Sequence, residues 1–168
     1  SYLSPAEFQP DADLVRSEGI DPQAPYAVLR LVHWGAGHDR GERGFAAHDV
    51  VALVERLARR MPVYVSAEGA VPDALRPHVA RFRVDRVHHL LACAALVVGE
   101  SPSMATEAAL LGVPAVLVSS WAGRCGNMQV LERQYHLMQV FAESQPGVAA
   151  AVAAAESPPA HAAITARR

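Results

Sequence analysis

At 168 residues, 51% hydrophobic and 19% charged, the chain is long enough for one domain with its own core and too short for two of ordinary size. A formal net charge of -2 offers no electrostatic case for capturing nucleic acid or an anionic membrane. All fifteen basic residues are arginine, which excludes chemistry that needs a lysine Schiff base or a Walker-type lysine.

In chain order, residues 1–25 are rich in Pro, Asp and Ser and read as a linker with one short helix around Ala12 to Glu18. "YAVLRLVHW" (26–34) predicts a strand and "GAGHDRGERG" (35–44) a polar, glycine-punctuated loop. "FAAHDVVALVERLARR" (45–60) has apolar residues at helical spacing, and "VYVSA" (63–67) predicts the next strand. A short helix over Ala74 to Val79 and a strand at Arg81 to Val84 are expected to follow. "DRVHHLLACA" predicts a helix, "ALVVG" a strand, "SPSMATEAALLG" a helix and "AVLVSS" (115–120) a strand. A second loop, "WAGRCGN", leads to the helix "MQVLERQYH", the strand "LMQVFA" and an alanine-rich final helix. Residues 157–168 read as a tail, which leaves 26–156 as the folded domain.

Strands alternating with helices predict an α/β domain, a doubly wound parallel sheet of Rossmann-like type. Ligands of such sheets bind beyond the carboxyl ends of the strands. Those ends carry "GAGHDRGERG", "EGAVPD", "GESPS" and "WAGRCGN", the polar and glycine-rich loops. Cys93 and Cys125 form no CxxC pair, and Cys93, inside "LLACAALVVG", reads as a buried small hydrophobe. That apolar run is well short of the roughly twenty residues a membrane span needs. With no signal peptide at its start the protein is expected in the cytoplasm, although "SYLSPAEFQP" reads as cut from something longer.

The stretch "GESPSMATEAALLGVPAVLV" (99–118) carries the most chemistry. Ser101 is a favoured N-cap and Pro102 suits the first helical position. The N–H groups of Ser103 and Met104, with the hydroxyls of Ser101 and Ser103, would then face outward at the positive end of the helix dipole, an anion site. Glu107 lies four residues after Ser103, on the same face one turn deeper, where a carboxylate can accept both hydroxyls of a ribose. The plain alternative is a serine cap with a charge near a helix start.

The pattern "GES-x-S-M-x-x-EAALLGVPAV" closely resembles the ribose- and phosphate-binding segment in the carboxyl-terminal domain of UDP-N-acetylglucosamine 2-epimerases and GT-B glycosyltransferases. In that resemblance Glu107 matches the glutamate that holds the ribose, and Ser101, Ser103 and Met104 match the phosphate-binding turn. The sequence departs at Pro102 and Ser103, where the epimerases have a glycine pair, so the backbone approaches a phosphate less closely. With "VLRLVHWGAGHDRGERGF", "VYVSAEG" and "VHHLL" in the same order, residues 1–145 resemble the carboxyl-terminal half of an uncharacterised archaeal and bacterial family related to those enzymes.

The resemblance implies that the loop after the first strand, with His33, His38, Asp39, Arg40 and Arg43, approaches the diphosphate and sugar. Arginine forks phosphate oxygens and histidine can donate a proton, so His38 and Arg43 lead this group, while His33 reads equally as a core histidine. Ser66, Glu68 and Gly69 stand at the mouth of the second strand; Glu68 is a candidate general base or a loop cap. Of His88 and His89, one is expected to face the core and the other the mouth, and no further ligand at metal-binding spacing accompanies them. Arg124 and Asn127 are candidates to reach a sugar or phosphate.

The reading is a nucleotide-diphosphate-sugar-binding domain of a GT-B-like glycosyltransferase or NDP-sugar epimerase. UDP or a related nucleotide-sugar would be its substrate, with no further cofactor and no metal. An amino-terminal Rossmann-like domain would be its partner, and without it the domain is expected to turn over little. The alternative is a non-catalytic module that binds a nucleotide or glycan to regulate or scaffold a partner.

Overall fold

The computed structural model describes residues 2–33, 43–122 and 126–156. Five strands, β1 (Ala27–Leu31), β2 (Val63–Ala67), β3 (Leu96–Gly99), β4 (Ala115–Val118) and β5 (Met138–Phe141), form one sheet in the order β2-β1-β3-β4-β5. Every neighbouring pair is parallel. The strands are short apolar runs because both faces are covered. Val28, Val97, Ala115 and Leu117 enter one core. Ala27, Leu29, Val65, Leu96, Val98 and Val116 enter the other.

Helices α1 (Ala12–Ser17), α3 (Val87–Cys93) and α4 (Pro102–Leu110) cover the first face. Helices α2 (Ala47–Ala58) and α6 (Ser144–Glu156) cover the second. The stripe Val50, Leu53, Val54 and Leu57 is the buried side of α2, as its 3.6-residue spacing requires. This is the Rossmann-like α/β arrangement that the alternating pattern predicts.

Four local features depart from the expectation. The opening residues do more than link, since Leu3, Val15 and Ile20 are buried in the first core. Asp11 caps α1 by accepting from Asp13 N–H at 2.8 Å and Leu14 N–H at 3.3 Å, and Arg86 reaches Glu18 at 3.0 Å to hold α1 against α3. The strand expected at 81–84 does not form; beyond β2 there is one parallel bridge, Val65 to Val79. Arg83 instead pairs both its Nε and Nη2 with Asp85 at 3.0 Å, closing a 3₁₀ turn over Val84–Arg86. Counted as a vestigial strand, the bridge gives the order of a dinucleotide-type sheet, 3-2-1-4-5-6.

The helix expected after residue 126 divides into α5 (Gly126–Gln129) and a π-helical turn, Val130–Gln134. From that turn Glu132 accepts the Val140 N–H at 2.8 Å, which occupies a donor of edge strand β5. Cys93, expected as a buried small hydrophobe, is half-buried and packs against the first core. At the start of β1, the buried Tyr26 donates its hydroxyl to the Leu90 carbonyl at 2.5 Å. Burial pushes that phenol far above its ordinary ionisation range.

Candidate functional site

Helix α4 begins where β3 runs out. Ser101 is its N-cap, its hydroxyl accepting from Met104 N–H at 3.4 Å and lying 3.1 Å from the Ser103 hydroxyl. Pro102 occupies the first turn, where a missing N–H costs nothing. The helix ends in a Schellman arrangement: Gly112, at φ 78°, donates to Ala109 O at 3.0 Å and Val113 donates to Ala108 O at 3.0 Å. Only glycine takes that left-handed position without strain. Ala105, Ala108 and Ala109 are buried, so the helix sits close on the sheet with its start at the strands' carboxyl ends.

On the outer side, Ser103, Thr106, Glu107 and Leu110 follow one another at helical spacing and line a groove of about 400 Å³ with Tyr2, Pro102 and Met128. Ser103 and Glu107 therefore share a face, as their spacing predicts. The Glu107 carboxylate is about a quarter exposed and has two side-chain partners. Tyr2 donates its hydroxyl to Oε1 at 2.8 Å, and His88 Nε2 lies 3.3 Å from Oε2. That hydrogen bond to Glu107, above all, raises the ionisation of the Tyr2 phenol.

The strand order reverses direction between β1 and β3, where a doubly wound sheet opens its crevice. A second carboxylate fills it. Glu100 is 5% exposed, and accepts the Val32 N–H at 2.9 Å and the Phe45 N–H at 2.7 Å. It thus holds together the chain leaving β1 and the chain returning toward α2. A Cβ on Gly44 would lie 2.2 Å from its Oε1, so glycine is required by close approach. Arg43, next along, exchanges backbone hydrogen bonds with Ser120: its N–H donates to the Ser120 hydroxyl, and its carbonyl accepts the Ser120 N–H, both at 2.9 Å. These bonds set the Arg43 backbone beside the carboxyl end of β4, and its side chain is exposed.

Glu68 is placed at the mouth of β2, but its carboxylate is engaged. Arg30 Nη2 donates to one oxygen and the His33 N–H to the other, the latter at 3.2 Å. Arg30 also donates to the Ser66 hydroxyl at 2.8 Å. His33 is exposed, with its ring against Gly69, and is not a core histidine. Neither His88 nor His89 enters the core. His88 faces Glu107 and Tyr2, whereas His89 accepts the Asp11 N–H on Nδ1 at 2.9 Å. His38, Asp39, Arg40, Arg124 and the side chain of Asn127 lie outside the described residues.

The structure thus gathers Ser101, Ser103, Met104 and Glu107 on α4, with His88 beside them, and sets Arg43 at the same end of the sheet. Glu68 belongs to a separate cluster with Arg30. Three residues escaped the sequence reading. Glu100 stands in the motif, yet nothing local marks an acid as bound by distant backbone. Arg30 had a signal, a lone charge in the middle of an apolar strand. Tyr2 pairs with a residue at the far end of the chain and had none.

Among the described residues, no group of three His, Cys, Asp or Glu side chains is placed to share a metal ion. No helix among them is long and apolar enough to cross a membrane. No protein-family model matches the chain, and no curated protein matches it significantly.

Proposed function

We propose that this chain is the nucleotide-diphosphate-sugar-binding domain of a GT-B-like enzyme, either a glycosyltransferase or an NDP-sugar epimerase. The observation that carries the reading is the outer face of α4, where a serine-capped helix start and a carboxylate one turn deeper line one groove. A diphosphate suits the positive dipole end and the serine hydroxyls there, the Met104 N–H being capped by Ser101, and a ribose diol suits Glu107. The motif resemblance and the Rossmann-like sheet support the same ligand.

Catalysis in such a site is electrostatic: helix N–H groups and arginine stabilise charge as the diphosphate departs. Arg43 is the described arginine best placed for this, and His38 and Arg124 remain candidates by sequence. An amino-terminal Rossmann-like domain would close the cleft and bring the remaining catalytic groups, and this chain by itself would bind without appreciable turnover.

Calorimetric titration of wild type and Arg43→Ala with UDP and uridine tests the reading. A charge-assisted hydrogen bond contributes roughly 1.5–3 kcal/mol, so UDP affinity should fall about tenfold or more while uridine affinity holds. Equal losses for both ligands would place Arg43 away from the diphosphate.

One observation favours the second reading, a binding module without turnover. Both oxygens of Glu68, the candidate base, are taken by Arg30 and the His33 backbone. Turnover of a UDP-sugar when the chain is joined to an amino-terminal domain separates the two.

A further inference from the structure

Glu107 is not bare in this structure. The residues before α1 form a strap along α3 that ends on its carboxylate. Leu3 anchors the strap in the core at 3% exposure. Phe8 packs against both histidines, with ring centroids 6.1 Å from His88 and 4.9 Å from His89. Asp11 N–H on His89 ties down its far end at 2.9 Å. At the near end the Tyr2 ring meets the His88 ring edge-on, at 5.7 Å.

Tyr2 is held differently from its neighbours. It is 63% exposed, so its ring gains little from burial, and its specific polar contact is the hydroxyl given to Glu107 Oε1. That ring also forms one wall of the groove along Ser103, Thr106 and Leu110. A phenol hydroxyl on a carboxylate oxygen has the chemistry of a sugar hydroxyl on the same atom. A ligand hydroxyl approaching Oε1 from the groove meets the phenol there first.

We propose that Tyr2 is an internal competitor for this site: its phenol occupies the position of a ligand hydroxyl on Glu107 and must be displaced for a nucleotide to bind. The inference rests on the reading of Glu107 as the ribose-binding group. Displacement costs the free protein one hydrogen bond to a charged acceptor, and the ligand supplies another in its place. The Tyr2 hydroxyl therefore lowers nucleotide affinity by competing at Glu107, not at the hydrogen-bonding groups of the helix start. Its deeper anchors, Leu3 and Phe8, leave Tyr2 free to swing aside while the strap stays attached.

Tyr2→Phe keeps the ring and removes the competing donor, and the exposure of Tyr2 makes loss of folding no obstacle. Wild type and Tyr2→Phe are titrated by calorimetry with UDP and with inorganic diphosphate. The expected result is UDP affinity raised about tenfold, corresponding to roughly 1.4 kcal/mol, with diphosphate affinity unchanged. In the wild type, saturating UDP should also move the ionisation of the Tyr2 phenol, read as the absorbance difference from Tyr2→Phe, down toward its ordinary range.

Unchanged UDP affinity in the variant, where wild type does bind UDP, overturns the competitor and leaves the site reading intact. Weaker UDP binding also overturns it, because Tyr2 would then hold the ligand. Failure of both proteins to bind UDP defeats the site reading and the competitor with it.

Discussion

Glu100 and Glu107 flank the start of one helix, and the molecule treats them in opposite ways. Glu100 is 5% exposed and accepts backbone N–H groups from two segments, at Val32 and Phe45. Glu107 is partly exposed and meets two side chains, Tyr2 and His88. Backbone partners cannot leave without moving the chain, whereas side-chain partners at a surface can rotate away. The contrast separates a carboxylate that builds the crevice from one whose partners can turn aside, as the proposed ligand site requires.

The largest effect should come from Glu100→Ala. Two part-buried N–H groups would lose their acceptor, each at about 1–3 kcal/mol, so urea unfolding should show about 2 kcal/mol or more of lost stability. Glu107→Ala in the same assay should cost only about 1–1.5 kcal/mol, because the Tyr2 hydroxyl it releases is exposed and can turn to water. Similar losses at the two positions would erase the distinction.

Gly44→Ala sharpens it. The new Cβ would lie 2.2 Å from Glu100 Oε1, and overpacking of this kind costs about 1–3 kcal/mol. In a Glu100→Ala background the clash is gone, so the double mutant should be clearly less unstable than the two single losses summed. Strict additivity would mean that Gly44 and Glu100 do not press on one another.

Two tyrosines repeat the comparison at smaller size. Tyr26 is buried and donates to backbone, whereas Tyr2 is exposed and donates to Glu107. Tyr26→Phe should cost about 1 kcal/mol near neutral pH. Burial raises the Tyr26 phenol in the folded state above its ordinary value of 10.0. Its contribution to stability is therefore complete below that pH and is lost as pH rises from there toward the folded value. Alkaline melts should show that decline in wild type and a flatter profile in Tyr26→Phe. Parallel profiles would remove Tyr26 as its cause.

Much of the fold was legible because each strand is an apolar run bounded by loops, and because α2 carries a clean helical stripe. The missing strand at 81–84 had the alternation of a strand but lay beyond the sheet's paired edge, and the Arg83–Asp85 pair closed a turn there. The π-helical turn at Val130–Gln134 was not legible, since its apolar spacing is that of an ordinary helix. At the site, the Ser101 cap and the shared face of Ser103 and Glu107 could be placed because spacing within one helix sets both. Glu100, Arg30 and Tyr2 depend on contacts between segments far apart in the chain, such as Tyr2 with Glu107, which no local pattern records.

The central claim, that Glu107 grips a ribose, is tested most directly by calorimetric titration of wild type and Glu107→Gln with UDP and 2′-deoxy-UDP, beside their thermal melts. The substitution keeps the shape and the helix but removes the charge and one acceptor oxygen. Wild type should prefer UDP, and Glu107→Gln should bind UDP more weakly with that preference nearly gone, at little cost in stability. The contradicting result is unchanged affinity for both nucleotides, with only the stability loss of a charge near a helix start, a few tenths of a kcal/mol up to about one.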